Sequence, residues 1–220
     1  DYGVEQSIYL PPGVDTKRFD PEKVRSDPRG LNLLVDLTGR APPDIAASPI
    51  ITEISRTART KRKDVLIKAF ARVRERFPEA LLAVSIDKNQ GDLYQELIEL
   101  VGSLALEDSV AVLGSVWDYV PSLYGLSAVY CTPSIMEGFG MSIQEAAACK
   151  VACVATSRVP FAAEYLLGDN VREESLEDGG RVQDRFVYQF RRERFRRHLA
   201  FSLLREQHVS RNHKTALCGQ

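Results

Sequence analysis

Cys131-Thr-Pro-Ser-Ile-Met-Glu-Gly-Phe-Gly-Met-Ser-Ile-Gln-Glu-Ala-Ala-Ala-Cys-Lys150 is the stretch around which this chain of 220 residues is organised. It includes the end of an apolar run, residues 128–132, that predicts a short buried strand. It then turns through two glycines and enters an alanine-rich segment, which predicts a helix from Ser142 to about Cys149. A glycine turn that leads into a helix presents free N–H groups and the positive end of the helix dipole, which together favour a phosphate group.

Two carboxylates flank the predicted phosphate position, Glu137 before the turn and Glu145 inside the helix. Ionised carboxylates only accept hydrogen bonds, so they suit the hydroxyl groups of a sugar rather than a phosphate. The pattern therefore indicates a ligand with a charged middle and polyhydroxylated ends, as in a nucleotide sugar. An alternative stays open for Glu145, because Ser142-Ile-Gln-Glu145 also matches a capping box in which Glu145 bonds to the backbone of Ser142.

The same stretch resembles the donor-site signature of retaining GT-B glycosyltransferases, a family that includes sucrose-phosphate synthases, mannosylfructose-phosphate synthases and glycan mannosyltransferases. The resemblance rests on two glutamates with seven residues between them, on Pro133-Ser134 before them and on Gly-Phe-Gly-Met after the first. It implies that Glu137 orients the hydroxyl groups of the transferred sugar and that Glu145 accepts hydrogen bonds from the ribose. It also implies donor contacts from the residues of the turn, which are Gly138, Phe139, Gly140 and Met141.

A second charged segment, Ile54-Ser-Arg-Thr-Ala-Arg-Thr-Lys-Arg-Lys-Asp64, follows the first strand of the predicted sheet. In the family that the chain resembles, an arginine and a lysine five residues later grip the diphosphate of the donor, and those positions are Arg56 and Lys61 here. Negative charge grows on the diphosphate as the glycosidic bond breaks, and arginine supplies a bidentate fork where lysine supplies a point charge. We expect Arg56, Lys61 and Glu137 to form the catalytic centre. The other cations are expected to form a solvated basic face or a helix start, and they are Arg59, Arg62 and Lys63.

From residue 48 onward, apolar segments that predict strands alternate with segments of helical periodicity. Strands are predicted at 49–55, 79–86, 110–113, 128–132 and 151–155, and helices at 63–77, 94–103, 119–124, 142–149 and 162–167. This alternation predicts an α/β protein with a doubly wound, Rossmann-like parallel sheet, which the resemblance makes one half of a GT-B architecture. Ligands of such sheets bind beyond the carboxyl ends of the strands, where the strand order reverses.

The predicted organisation has three parts: an irregular lead-in and linker at 1–48, a nucleotide-sugar-binding domain at 49–170 and an atypical basic tail at 171–220. In the lead-in, Pro12-Gly-Val-Asp15 resembles the entry to the nucleotide-binding half of the family, and residues 31–37 weakly favour a helix. The prolines at Asp20-Pro21, Asp27-Pro28 and Ala41-Pro-Pro-Asp44 indicate breaks, so residues 16–48 are predicted as loop broken by short helical pieces. The resemblance places the nucleotide base near residues 112–115. Trp117 and Tyr119, just beyond, are expected to be core or helix-start residues rather than a stacking platform.

The last 40 residues differ from the rest in composition. Residues 181–220 hold ten Lys and Arg against three Asp and Glu, together with all three histidines, whereas residues 1–180 hold 19 against 27. Three interpretations stay open. They are a basic helix from about Asp184 to Gln207, a stretch that does not follow the sequence pattern of the family, and an arm that binds nucleic acid. We favour an atypical or disordered segment, in which the three scattered histidines make a poor metal site.

Composition restricts the classes of partner. The net charge of −1 gives no overall attraction to nucleic acid or to a membrane surface, and no apolar run reaches the roughly 18 residues of a membrane span. No metal or organic cofactor is expected. The cysteines fit no zinc pattern and are expected to be reduced, small hydrophobic residues of a cytoplasmic protein; they are Cys131, Cys149, Cys153 and Cys218.

Three hypotheses follow for the function. The first is the donor-binding half of a retaining hexosyltransferase, which moves a hexosyl group from a nucleoside-diphosphate sugar to an acceptor hydroxyl, with a sugar phosphate as one candidate acceptor. The resemblance covers about residues 8–169, so an N-terminal acceptor-binding domain is expected to be missing. The second hypothesis is a module that binds nucleotide sugars without transferring them. The third and weakest is a protein that binds RNA or DNA through the basic tail.

Overall fold

The structure is a computed structural model that describes residues 10–166 in full and residues 171–178 and 181–189 as backbone. In this part of the chain the helices are α1 (Pro21–Ser26), α2 (Arg29–Thr38), α3 (Pro42–Ala47), α4 (Lys63–Arg76), α5 (Asp92–Ser103), α6 (Val120–Leu126), α7 (Met141–Ala148) and α8 (Pro160–Tyr165). The strands are β1 (Ile50–Glu53), β2 (Leu81–Ser85), β3 (Val110–Leu113), β4 (Val129–Thr132), β5 (Ala152–Thr156), β6 (Val171–Asp178) and β7 (Arg181–Gln189).

The seven strands of the described chain form one sheet in the order β3-β2-β1-β4-β5-β7-β6. Strands β1 to β5 are parallel, and β7 pairs antiparallel with both β5 and β6. The chain adds β2 and β3 on one side of β1, and then crosses over to add β4 and β5 on the other side. The strand order therefore reverses between β1 and β4, which is where a sheet of this kind binds its ligand.

The predicted parallel sheet is confirmed, and each strand and helix predicted between residues 49 and 167 overlaps an observed element. The strands are apolar on both faces because helices cover both faces. Ile50 and Leu81 belong to one apolar cluster, whereas the next residues along each strand, Ile51 and Leu82, belong to a second cluster on the opposite face. This two-sided core holds the carboxyl ends of β1 and β4 side by side.

The helical pieces predicted in the lead-in are present, and the weakly favoured helix at residues 31–37 lies within α2. The segment is nevertheless more regular than the sequence predicts, because α1, α2 and α3 occupy most of residues 21–47. The prolines that indicate breaks stand at helix starts instead. Pro21 is the first residue of α1, and the Asp20 carboxylate accepts hydrogen bonds from two backbone N–H groups of its first turn at 3.0 and 3.1 Å. Leu34 and Ile45 of the next two helices are fully buried, so this segment is part of the core.

The sheet continues beyond residue 170 with β6 and β7, in a region that the sequence predicts as an atypical basic tail. Residues 184–189, where a basic helix was one alternative, lie in β7 and pair with β6. Residues 190–220, with the three histidines and Cys218, lie outside the described residues. Within the described ranges, no helix has the length and apolar character needed to cross a bilayer.

Candidate functional site

Two loops meet at the carboxyl ends of β1 and β4. We call residues 54–62 the cationic loop and residues 133–140 the glycine loop. The carbonyl oxygen of Thr60 accepts hydrogen bonds from the backbone N–H of Ile135 at 2.9 Å and from the Ser134 hydroxyl at 3.1 Å. Ser134 is fully buried, and its own carbonyl accepts a hydrogen bond from Thr156 at the end of β5. The loops are thus joined through their backbones at the switch point of the sheet.

Side chains also join the two loops. The Lys61 ammonium donates a hydrogen bond to the Glu137 carboxylate and forms an ion pair with it, and the two side chains are 10% and 15% exposed. The sequence predicts both residues at the donor site, in separate roles, but does not predict that they contact each other. Their contact places a cation and an anion of the predicted site within the reach of one small molecule.

Arg56 lies on the same cationic loop and is exposed. Among residues 10–166, its guanidinium group has no hydrogen bond or ion pair. The backbone around it is fixed, because Thr57 donates to the carbonyl of Ser85 at 3.4 Å and accepts from the N–H of Asp87 at 2.9 Å. The loop therefore presents the five N–H donors of a solvated guanidinium group from an ordered backbone.

Gly140 is the N-cap of α7, with a φ of 103° that side chains rarely tolerate. A Cβ atom at this position would lie 2.6 Å from a methyl carbon of Val159, so the packing also requires glycine. No side chain caps the helix. Its first N–H groups, which have no partner within a helix, are thus available to a ligand beside Gly140 and Met141. A Cβ at Gly138 would meet no atom within 4 Å.

The ring of Phe139 packs away from the loop junction. It is 7% exposed and lies 5.7 Å from the ring of Phe161 and 5.6 Å from that of Tyr165. Its carbonyl accepts a hydrogen bond from the N–H of Phe161 at 2.8 Å. Phe139 therefore holds the glycine loop against α8, and the geometry does not bring its side chain to the other predicted site residues.

Glu145 lies in the second turn of α7 and does not cap that helix, because the N-cap is Gly140 and no side-chain cap is formed. The capping-box interpretation is therefore wrong. Burial raises the pKa of Glu145, while the charge of Arg18 and a hydrogen bond with Tyr124 act in the opposite direction. A half-buried carboxylate with no capping role is consistent with the predicted contact to a ribose.

The lead-in segment covers the same end of α7. Gln144 donates a hydrogen bond to the carbonyl of Pro12 at 2.9 Å. Arg18 donates to the carbonyl of Trp117 at 2.8 Å, and its guanidinium group lies 4.8 Å from the centre of the Trp117 ring. Trp117 is 67% exposed, so it is not a core residue, and it lies just before the start of α6, as the alternative prediction of a helix-start residue has it. The Pro-Gly-Val-Asp segment thus borders the candidate site.

Lys63 stands at the start of α4, which is one of the two predicted alternatives, but it does not lie on a solvated face. It is 2% exposed and pairs with Glu53, which is fully buried at the end of β1. The one hint of this buried ion pair in the sequence is a glutamate, Glu53, near the end of a predicted buried strand. Arg59 does behave as predicted, because it is exposed and pairs with Glu96 on α5 at 2.6 Å.

Three cysteines, Cys131, Cys149 and Cys153, are buried and unbridged, in agreement with the predicted reduced thiols. Burial raises the pKa of Cys131 far above its ordinary value and that of Cys149 to about 12, so both thiols stay protonated. Across the described part of the chain, no three His, Cys, Asp or Glu side chains gather closely enough to hold a metal ion.

Comparison with known proteins identifies the family and agrees with the fold. Residues 40–173 match the family model of glycosyl transferases group 1. The mannosylfructose-phosphate synthase of Agrobacterium fabrum (strain C58 / ATCC 33970) is 30% identical over 164 residues, which is 71% of this chain and 34% of that protein. The chain spans about a third of the length of the curated relatives it matches.

Two solved structures share the fold. The sucrose-phosphate synthase of Thermosynechococcus elongatus is 26% identical with a TM-score of 0.51, and the match covers 65% of this chain and 33% of that one. The C-terminal domain of a glycosyl transferase group 1 family protein from Francisella tularensis, LpcC, is 24% identical with a TM-score of 0.55, and the match covers 72% of this chain and 77% of that domain. The chain belongs to the glycosyl transferases group 1 family.

Proposed function

We propose that this chain is the donor-binding half of a retaining hexosyltransferase that uses a nucleoside-diphosphate sugar. The observation that carries the proposal is the junction of the cationic loop with the glycine loop, where Lys61 contacts Glu137. Groups suited to a diphosphate and groups suited to sugar hydroxyls stand together at the switch point of the sheet. The Francisella C-terminal domain, which covers a similar length, supports the assignment to one half of a GT-B fold.

Each site residue takes one part of the donor. Arg56 and Lys61 bind the diphosphate, together with the amides at Gly140 and Met141. Glu137 accepts hydrogen bonds from the sugar, with Gly138 leaving room beside it, and Glu145 accepts from the ribose. The ion pair between Lys61 and Glu137 is compatible with these roles, because an ammonium group has three donors and can bond to a carboxylate and a phosphate at once.

These residues contribute to the reaction by electrostatic stabilisation. As the bond between the anomeric carbon and the diphosphate oxygen breaks, the electron pair stays on that oxygen, and Arg56 and Lys61 stabilise the new charge. The acceptor hydroxyl forms its bond to the same face of the anomeric carbon, and its proton passes to the departing diphosphate, so configuration is retained without a side-chain nucleophile. Preorganised cations of this kind contribute on the order of 10²–10³ in rate per donor group, by analogy with oxyanion holes.

The acceptor and the rest of the enzyme are also part of the proposal. We propose a sugar or sugar phosphate as acceptor, because relatives are named mannosylfructose-phosphate synthase and sucrose-phosphate synthase. The acceptor binds to an N-terminal domain that supplies the opposite wall of the site. No metal or organic cofactor takes part, and the protein works in the cytoplasm, in keeping with its buried unbridged thiols.

The test is calorimetric titration of the chain with UDP, ADP and GDP, followed by transfer assays with the matching radiolabelled sugar donors. Trp117 is the single tryptophan of the chain, and its ring lies 4.8 Å from the guanidinium group of Arg18, whose charge acts on Glu145, so its fluorescence gives a second binding signal. Binding of one nucleotide in preference to the others supports the proposal. Absence of binding to all three would refute it.

A second candidate is a module that binds a nucleotide sugar but transfers nothing. The chain spans about a third of the length of its curated relatives, so the activity in their names is not shown for it. Binding without transfer, both for the chain alone and with an acceptor-binding domain supplied, would favour the module over the enzyme half. Transfer that appears once that domain is supplied would favour the enzyme half.

A further inference from the structure

A buried ion pair beside the donor site has no part in the roles given above. Glu53 is the last residue of β1 and Lys63 is the first residue of α4. Their side chains are 0% and 1% exposed, and the Lys63 ammonium contacts the Glu53 carboxylate. The pair thus stands at the two ends of the cationic loop, residues 54–62, which carries Arg56 and Lys61.

The ion pair also fixes the backbone next to Arg56. The Lys63 ammonium donates to the hydroxyl of Ser55 at 3.1 Å and to the carbonyl of Ser55 at 3.3 Å, and the Ser55 hydroxyl donates to Glu53. All three donors of the ammonium are therefore used. Burial lowers the pKa of Lys63, and the adjacent Glu53 carboxylate opposes this shift. The residue that immediately precedes Arg56 is bound on both its hydroxyl and its carbonyl.

Stability alone does not explain such a pair. Removing two charges from water is costly, and apolar side chains of similar volume in the same position are often as stabilising or more so. The neighbouring residues of β1 and α4, such as Ile51 and Leu66, are fully buried apolar side chains, so the surroundings suit an apolar pair. What an apolar pair lacks is the hydrogen bonds to Ser55 that fix where the cationic loop begins.

We propose that Glu53 and Lys63 are positioning residues, which set the cationic loop so that Arg56 and Lys61 meet the donor diphosphate. The inference rests on the proposed function for the identity of the ligand. Its structural part is independent of the ligand: the pair keeps Thr60 docked on the glycine loop, where its carbonyl accepts the N–H of Ile135 at 2.9 Å.

The test is the double variant Glu53→Leu/Lys63→Met, because removing one partner alone would leave a buried charge unpaired and unfold the protein. We expect a melting temperature equal to or above that of the unaltered chain, with an affinity for the preferred nucleoside diphosphate reduced at least about tenfold. Amide exchange at Ile135 is expected to accelerate, while that of core amides in β2 stays unchanged. Asp27→Asn/Arg29→Gln removes an exposed pair elsewhere and serves as the control, with no effect on affinity.

Unchanged affinity and unchanged exchange at Ile135 in a folded double variant would overturn the inference. If the unaltered chain binds no nucleoside diphosphate, the proposed function fails, and exchange at Ile135 still decides whether the pair positions the loop. If the double variant does not fold, Ser55→Ala takes its place, since it removes only the bridging hydroxyl. That variant is expected to lose about two- to tenfold in affinity at an unchanged melting temperature, and an unchanged affinity would count against positioning.

Discussion

At the scale of single residues, the cations near β1 are distinguished by their partners. Lys63 pairs with Glu53 in the core, Lys61 with Glu137 at the loop junction and Arg59 with Glu96 on the surface. Arg56 is exposed and has no such partner within residues 10–166. Under the proposed function, a bound diphosphate would therefore neutralise the charge of Arg56 without breaking an existing ion pair.

Arg56→Gln is expected to lower the affinity for the preferred nucleoside diphosphate by about 10- to 100-fold, the range for losing hydrogen bonds to a charged group. The melting temperature should not change, because the side chain is exposed. Calorimetric titration measures the affinity. Arg59→Gln, an exposed arginine of the same loop, is the matched control, and an equal loss there would mean that only general charge attraction is at work.

The half-buried carboxylate of Glu145 affects how the stability of the protein depends on pH. Its pKa is raised by burial, so the folded protein binds its proton more tightly than the unfolded chain does. The corresponding stability is fully present below the unfolded pKa of about 4 and is lost as the pH rises through the folded pKa. At neutral pH the ionised Glu145 therefore lowers the free energy of unfolding.

Glu145→Gln is accordingly expected to raise the melting temperature near pH 7 and to lose this gain as the pH falls to about 4. The same variant should bind the nucleotide more weakly, because a neutral amide with one acceptor oxygen would replace the carboxylate that is proposed to accept from the ribose hydroxyls. Thermal melts across this pH range, with the exposed Glu99→Gln as control, measure the effect. A gain that is constant with pH would contradict the assigned cause.

At the scale of elements, the start of α7 depends on backbone conformation rather than on a capping side chain. Gly140 has a φ of 103°, and α7 begins at the next residue with its first N–H groups uncapped. The conformation of Gly140 thus directs the first N–H groups of α7 toward the loop junction. The neighbouring Gly138 has open space around it and serves as a natural comparison.

Gly140→Ala should cost about 1–3 kcal/mol of unfolding free energy, because alanine is strained at a positive φ and its Cβ would lie 2.6 Å from a Val159 methyl carbon. Nucleotide affinity should fall with it, as the amides move. Denaturant unfolding and titration measure the two effects. Gly138→Ala should leave stability nearly unchanged, and equal losses in the two variants would show that backbone conformation is not the cause.

The lead-in helices also depend on glycine for their packing. A Cβ at Gly125 in α6 would lie 2.0 Å from the carbonyl oxygen of Val24 in α1. No shift of a flexible side chain can relieve a contact with backbone. The close approach of these two helices is what brings the lead-in segment against the sheet.

Gly125→Ala is therefore expected to destabilise the protein by about 1–3 kcal/mol or more, through forced separation of α1 and α6. Gly102→Ala in α5, where the nearest atom to a Cβ is a Glu107 side-chain oxygen at 3.5 Å, should be neutral or stabilising by up to about 1 kcal/mol. Chemical denaturation of both variants checks the contrast. Similar losses in the two would indicate a general effect of glycine replacement.

At the scale of the whole molecule, the sheet topology brings distant segments together. Residues 54–62 and 133–140 are separated by about 70 residues in sequence, yet they follow adjacent strands, with Ile51 opposite Val129 and Thr52 opposite Tyr130. A ligand at the switch point therefore contacts loops from both halves of the sheet. Its binding free energy adds to the stability of the entire fold.

A nucleoside diphosphate at 100 times its dissociation constant should stabilise the protein by about 2.7 kcal/mol. For a domain of this size that is a rise in melting temperature of about 5–10 °C. Differential scanning fluorimetry with UDP, ADP and GDP measures it, and inorganic phosphate is the control for nonspecific anion binding. The Arg56→Gln variant should show a much smaller rise at the same nucleotide concentration. An equal rise in the melting temperature of the variant and of the unaltered chain would show that Arg56 does not contact the nucleotide.

The parallel sheet and the composition of the two loops are readable from the residues alone. Apolar strands alternating with amphipathic helices require burial on both faces, and local motifs predict Arg56, Lys61, Glu137 and Glu145 as site residues. Prolines in the lead-in misled the prediction, because the same residue ends one helix and begins another according to its neighbours. The capping box was likewise a valid local pattern, which the positive φ of Gly140 overrode.

The pairing of the charges, in contrast, follows from the folded chain. Lys61 and Lys63 are two residues apart in the sequence, yet one pairs with Glu137 at the loop junction and the other with Glu53 in the core. No periodicity encodes that difference, because it arises where a short helical turn at Arg59–Lys61 and the left-handed Arg62 reorient the chain before α4 begins. Pairing across 76 residues depends on strand order, which is set by packing of the complete sheet.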